Sequence, residues 1–259
     1  ERDWIAAVLA ETGASALILD IRTDLSEADV RSLRGAAGLI VALDDGSPRR
    51  LAAHLAVYPP VPQTRALAWP DGETDLCIGW DWAVMGGAVW RGARPLDSGR
   101  ATLRVMVAMG GSDPQGLTQR AVKAVAAAGR RVTPVVAIGP AVAFPEAVAD
   151  ACQAAAPDAE ILFAPPSLME VAAGCDLAVV AYGVTAFECA HVGTPAIYLG
   201  LTPDHAASAQ GFDDAGFGMK LGTVAGLNDR RITEAVLALA GDGERRRAMA
   251  AAGRTAIDG

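Results

Sequence analysis

Short apolar runs alternate along the chain with longer stretches in which apolar residues recur at helical spacing. In the second half the runs are Thr102–Met109, Val132–Ile138, Ile161–Phe163, Leu177–Ala181 and Ala196–Leu199. The intervening stretches, Leu117–Ala128, Pro145–Ala155, Leu168–Ala173, Ala186–His191 and Ala206–Ala215, predict helices. Runs that are apolar throughout indicate strands covered on both faces. Their alternation with helices predicts a doubly wound parallel sheet with right-handed crossovers.

The first half repeats the pattern less fully. Asp3–Glu11 and Ser26–Gly35 predict helices, and Ala16–Asp20 and Leu39–Leu43 predict strands. Ser26, with Asp29 three residues on, suits a helix N-cap and first turn. After Asp44-Asp45-Gly46 the pattern thins, and Pro59-Pro60-Val61-Pro62 and Trp69-Pro70-Asp71-Gly72 read as irregular loop. Arg91–Arg100, polar and carrying Gly92, Pro95 and Gly99, is the expected linker. The expectation is therefore an α/β protein of two Rossmann-like domains, residues 1–95 and 101–259. Three or four strands belong to the first domain and about six to the second.

Composition removes several function classes. The 259 residues carry 22 Lys+Arg against 30 Asp+Glu, a net charge of −8, and 52% are hydrophobic. That balance excludes a disordered chain and lacks the basic stripe that nucleic-acid binding needs. No apolar run approaches the roughly 20 residues that span a bilayer. The start, Glu1-Arg2-Asp3-Trp4, has neither the basic nor the apolar region of a signal peptide. Four cysteines (Cys77, Cys152, Cys175, Cys189) form no C-x-x-C pair and have no His at metal spacing. They read as structural thiols of a cytoplasmic protein, and no metal is expected.

Three segments could carry chemistry. Val105–Pro114 runs a strand into Gly110-Gly111-Ser112-Asp113, with a helix beginning after it. Free N–H groups at such a helix start bind phosphates or sugars in open α/β folds; alternatively the segment is a tight turn with Ser112 or Asp113 as cap. Neither the dinucleotide fingerprint nor a P-loop is present. In the second, a strand ends at Tyr182, Gly183 lets backbone approach a ligand, and Thr185 opens a helix that carries Glu188 in its first turn. Glu188 either complements the helix dipole or accepts hydrogen bonds from a ribose diol. The third is Gly200–His205. Of the three histidines, His54 and His191 read as structural, whereas His205 falls in a loop after a strand and suits proton transfer. A basic cluster, Glu244–Arg247, reads as a solvated helix face.

Met109-Gly-Gly-Ser-Asp-Pro114, the spacing Gly183-x-Thr185-x-x-Glu188 and Gly193-Thr-Pro-Ala-Ile197 together resemble the C-terminal domain of GT-B nucleotide-sugar enzymes. The resemblance is nearest to the UDP-sugar hydrolases of the pseudaminic acid pathway and more distant to the GlcNAc transferases that form lipid II. It spans about Thr102 to Gly222 and is weaker from Ala16 to Arg94. It implies a UDP-sugar ligand, with Gly183, Val184 and Thr185 at the diphosphate, Tyr182 beside them and Glu188 on the ribose hydroxyls. Gly111 and Ser112 would face the cleft. His205 stands where relatives carry Asn or Gln beside the donor sugar, and it is the catalytic candidate. No cofactor is implied, because helix N-termini can stabilise the departing diphosphate.

The expected function is hydrolysis of a UDP-linked amino sugar in surface-polysaccharide or nonulosonic acid biosynthesis. The alternatives are a GT-B glycosyltransferase and a non-catalytic nucleotide-sugar-binding protein. Relatives also have a His-bearing Gly-rich loop with no counterpart here, tend to have Tyr near the position of Arg22, and continue past Gly259. The sequence is therefore expected to be a piece of a longer protein whose first domain lacks its N-terminal strands.

Overall fold

The chain divides between Val84 and Met85 into two units, each organised around its own parallel sheet. The computed structural model describes residues 1–70, 72, 74–86 and 102–257. The segment expected as a linker, 91–100, lies outside the described residues.

In the first unit the order is α1 (Arg2–Thr12), β1 (Ala16–Leu19), α2 (Glu27–Leu33), β2 (Leu39–Leu43), β3 (Leu55–Tyr58), α3 (Pro62–Arg65) and β4 (Asp75–Ile78). The strands lie side by side as β1-β2-β3-β4, every pairing parallel. Ser26 caps α2 through a reciprocal box with Asp29, which satisfies two orphan N–H groups at once. Strands β3 and β4 fall where the hydrophobic pattern thins, and at four residues each they are too short to show a period. His54 extends the β2–β3 pairing: its N–H donates to the Ile40 carbonyl at 2.8 Å, and its Nδ1 accepts from the Ile40 N–H at 2.9 Å.

A buried ion pair organises the carboxyl edge of this sheet. Arg49 Nε lies 2.5 Å from Asp45 Oδ2, with both side chains about 5% exposed. The remaining guanidinium N–H groups donate to the carbonyls of Ile21, Thr23 and Leu25. The loop after β1 is thereby held against the loop after β2. The Tyr58 hydroxyl donates to the Asp45 carbonyl at 2.6 Å, and burial pushes its pKa up to about 12.

The second unit contains β5 (Leu103–Ala108), α4 (Leu117–Ala126), β6 (Val132–Ile138), α5 (Pro145–Ala155), β7 (Glu160–Phe163), α6 (Leu168–Ala173) and β8 (Leu177–Ala181). It continues with α7 (Val184–Val192), β9 (Ala196–Gly200), α8 (Pro203–Asp214), β10 (Gly218–Thr223), α9 (Asp229–Gly241) and α10 (Gly243–Ala256). Its sheet runs β10-β9-β8-β5-β6-β7, all parallel. All five residues of β8 and of β9 are buried, as strands covered on both faces must be. The apolar core joins β5, β6 and β8 to α4, α5 and α9. Strand β10, Gly-Met-Lys-Leu-Gly-Thr, was not individually legible, because Gly and Lys interrupt its apolar positions.

Two expectations change here. Helix α8 begins at Pro203, so His205 lies in its first turn rather than in a loop. Thr202 accepts from the His205 N–H at 3.2 Å, and Pro203 occupies the first helical position, where its missing N–H costs nothing. Arg246 is buried rather than solvated; it donates to the carbonyls of Leu239 and Ala240, the orphan acceptors at the end of α9. His191 is structural: its Nδ1 donates to the Ile257 carbonyl at 2.9 Å, fastening α7 to the end of α10.

Arg49→Met leaves the Asp45 carboxylate buried without its partner and three carbonyls without a donor. It should destabilise the first unit by about 3–5 kcal/mol, read as an earlier urea transition of that unit.

Candidate functional site

The order of the second sheet places β5 beside β8, the point at which successive connections reverse direction. Ligands of open α/β sheets bind in the crevice beyond the carboxyl ends of the strands at such a point. Two helix N-termini open there, those of α4 and α7, and the chain treats them differently.

After β5 the backbone turns through Gly110, at φ 84°, and Asp113, at φ 40°. The Asp113 carboxylate is buried, and its two oxygens accept from the N–H groups of Leu117 at 2.8 Å and Thr118 at 2.9 Å. Asp113, not Ser112, is therefore the cap of α4, and the amides at that helix start are already engaged. Gly111 and Ser112 remain exposed. The Gly111 carbonyl accepts from the Ala141 N–H at 2.8 Å. A Cβ on Gly139 would collide with the Gly110 and Gly111 carbonyl oxygens, so the loop after β6 lies directly on the glycine turn.

After β8 the chain passes through Tyr182 and Gly183 into α7. No side chain caps this helix, and no acidic residue stands in its first turn. In the same unit Ser167, Thr202, Asn228 and Asp242 cap α6, α8, α9 and α10. Helix α5 also lacks a side-chain cap, but it begins with Pro145, which has no N–H, followed by Glu146. The amides at the start of α7 and the positive end of its dipole are thus available to an anion.

Gly183 has extended backbone at φ 168°, which any residue can adopt, and a Cβ there meets no atom within 4 Å. Nothing inside the protein demands glycine at this position. Val184 is exposed on the first position of α7. Glu188 is the fifth residue of α7, in its second turn rather than the first, because the helix starts at Val184. Burial raises the Glu188 pKa, and a hydrogen bond from the Thr185 hydroxyl partly opposes the rise.

Behind this helix start lies an aromatic cluster. Tyr182 is buried, with its ring edge-on to Phe187, Tyr198 and Phe212. The Tyr182 ring is thus a packing element of the site's floor. Its centroid is 6.0 Å from that of His205, which ties α8 to the end of β8. The Nδ1 atom of His205 is buried and has no hydrogen-bond partner among the described residues. An N–H there would be an unsatisfied donor, the rarer and costlier orphan, so the proton belongs on Nε2.

The structure therefore brings Gly183, Val184, Thr185 and Glu188 together at one helix start, with Gly111 and Ser112 at the end of the adjacent strand. His205 joins them through Tyr182. No group of three or more His, Cys, Asp or Glu side chains able to hold a metal ion occurs among the described residues, and no described helix is long and apolar enough to cross a membrane. Cys152, Cys175 and Cys189 are buried, and desolvation raises the Cys152 thiol to about 11 and that of Cys189 further.

The raised Glu188 pKa has a signed consequence. The folded state holds the Glu188 proton more tightly than the unfolded chain, so the charged form costs stability above the ordinary carboxylate range and nothing below it. Glu188→Gln should raise the melting temperature at pH 7, with the gain vanishing as pH falls below about 4; thermal melts across pH check this.

No protein-family model and no curated protein sequence matches the chain. Solved structures do. A spinosyn rhamnosyltransferase, SpnG, complexed with thymidine diphosphate matches 99% of this chain and 72% of its own, at 20% identity and a TM-score of 0.59. MurG from Acinetobacter baumannii matches 98% and 72%, at 15% identity and a TM-score of 0.66. MnaA from S. aureus, in a co-structure with UDP, matches 98% and 75%, at 13% identity and a TM-score of 0.64. At these identities the likeness is one of architecture. Two parallel sheets with alternating helices, matched over nearly the whole chain, give this protein the two-domain, Rossmann-like GT-B fold.

Proposed function

We propose that this chain serves a glycosyltransferase that uses a UDP-sugar donor. The observation that carries the reading is the uncapped start of α7 at the strand-order reversal, while the neighbouring helix start is closed by Asp113. The Gly183–Thr185 amides would hold the diphosphate, and the α7 dipole would stabilise the charge that develops as it departs. The Glu188 carboxylate, already a hydrogen-bond acceptor for Thr185, would take the ribose hydroxyls. Glycine at 183 keeps open the space that a phosphate oxygen would fill. His205 would donate from Nε2 to the donor sugar or its phosphate, as the alternative to the acid–base role expected from sequence. The folds of a transferase bound to thymidine diphosphate and of MnaA bound to UDP support a pyrimidine nucleoside diphosphate.

Hydrolysis, the first expectation from sequence, becomes the second reading. It is favoured by the length of the sequence resemblance, about Thr102 to Gly222, whereas SpnG is a rhamnosyltransferase and a further matching structure, GtfA, is an O-GlcNAc transferase. The two reactions differ only in whether water or another hydroxyl attacks the anomeric carbon.

Calorimetric titration with UDP tests the donor site. Gly183→Ala should bind UDP at least about tenfold more weakly, yet fold with unchanged or slightly higher stability, since Gly→Ala at an unstrained position gains roughly 0.4–1 kcal/mol. A folded wild-type chain that ignores UDP overturns the reading. UDP release from UDP-sugars, with and without added sugar acceptors, then separates transfer from hydrolysis, and binding without turnover would indicate a non-catalytic role.

For His205 the relevant comparison is Gln against Ala. Gln restores an N–H donor and should keep turnover within a few-fold, while Ala loses about tenfold. The pH–rate profile of the Gln variant should match that of wild type. A basic limb lost in the Gln variant would show that His205 transfers protons after all.

A further inference from the structure

Strand β8 lies between β5 and β9 in the second sheet, so α7 begins in the gap between the loops that follow those two neighbours. One side chain spans that gap. Gln115, in the loop after β5, donates through Nε2 to the carbonyl of Leu201, in the loop after β9, at 3.5 Å. Both anchors are fixed. The Gly116 N–H donates to the Asp113 carbonyl at 3.0 Å, and the Asp113 carboxylate holds the start of α4, so Gln115 sits in a closed turn. On the other side, the Tyr182 N–H donates to the Leu199 carbonyl at 2.9 Å, which ties the end of β9 to the chain entering α7. A Cβ on Gly200 would collide with the backbone nitrogen of Ala206. The first turn of α8 therefore presses on the end of β9, and the Leu201 carbonyl has a set position.

The bond that spans the gap is weak. It is long beside the roughly 2.9–3.0 Å usual for N–H···O, it is exposed, and its acceptor is neutral. A phosphate oxygen is a better acceptor, because charge-assisted hydrogen bonds are about twice as strong as neutral ones. The edge also lacks any stronger donor. The six strands of this sheet are followed by loops at 109–116, 139–144, 164–167, 182–183, 201–202 and 224–228, and none of these carries Lys or Arg. A diphosphate at α7 therefore finds no cation in these loops, and its charge falls to the helix dipole and to neutral N–H groups. Most polar side chains of the loops are occupied as helix caps, as Asp113 and Thr202 are. Gln115 caps nothing, carries two N–H donors, and is held across the α7 start.

We propose that Gln115 is a ligand of the donor diphosphate: on binding, its carboxamide exchanges the Leu201 carbonyl for a phosphate oxygen at the start of α7. This rests on the donor-site reading above. The bond given up is exposed, so water replaces it at the Leu201 carbonyl and the exchange costs little. Gln115 would then supply affinity for the diphosphate whatever the base, a neutral donor doing there what a cation does elsewhere.

The test is UDP titration of wild type, Gln115→Leu and Gln115→Lys, with thermal melts and an NMR spectrum of the side-chain carboxamides. Gln115→Leu should melt with wild type in the absence of nucleotide and bind UDP about tenfold more weakly. Gln115→Lys, which restores a donor, should bind UDP at least as tightly as wild type. The carboxamide signal missing from Gln115→Leu should shift in wild type as UDP is added, in step with saturation. If Gln115→Leu binds UDP like wild type, this inference fails and the donor site stands. If its affinity falls only together with its melting temperature, Gln115 is a tie between two loops, and the inference fails as well. If folded wild type does not bind UDP, the donor reading fails and takes this inference with it.

Discussion

A parallel sheet whose connections run first one way and then the other must open between its two central strands, because right-handed crossovers send the following helices to opposite faces. In the second unit this happens between β5 and β8. Two helix starts then point into one crevice, and each brings unpaired amides with it. The fate of those amides decides what the crevice can hold. Asp113 takes up the amides of α4 with both carboxylate oxygens. Helix α7 receives no side chain and carries no acid in its first turn. One of the two helix starts is left without a side-chain cap, and Glu188, Thr185 and Gly183 are arranged around it.

The surroundings of that terminus are rigid for identifiable reasons. The Tyr182 ring is wedged among Phe187, Tyr198 and Phe212, so the backbone entering α7 has a fixed floor. His191 and the close contact of Gly253 with the Ala190 carbonyl hold α10 on the rear of α7. On the adjacent strand Gly139 is needed because the loop after β6 presses on the carbonyls of Gly110 and Gly111. The first unit uses a different device for the same purpose. There the Arg49–Asp45 pair gathers three carbonyls from the loop after β1 and fixes the carboxyl edge of its sheet.

How much was legible depended on the range of the interaction involved. Unbroken apolar runs such as Leu177–Ala181 declare a buried strand residue by residue, and the Ser26–Asp29 box is contained within four positions. Asp113 was visible as one of two possible caps; choosing it over Ser112 required the carboxylate to be seen on the N–H groups of Leu117 and Thr118. The helical placement of His205 was written in Thr202-Pro203 but was outweighed by the reading of a post-strand loop. Arg246 looked like one member of a solvated cluster because its acceptors, Leu239 and Ala240, lie on the preceding helix.

The sequence by itself determined the class of fold, the alternation that makes the second sheet parallel, and the Gly183–Glu188 stretch as a helix start after a buried strand. These follow from periodicity and from residues a few positions apart, where the chain's own geometry fixes who meets whom. Tertiary structure alone decided which of two helix starts stays open and that the His205 ring packs against Tyr182. Each of those depends on strands adjacent in space but distant in sequence, and strand order is set by how the whole set of apolar faces can be buried together.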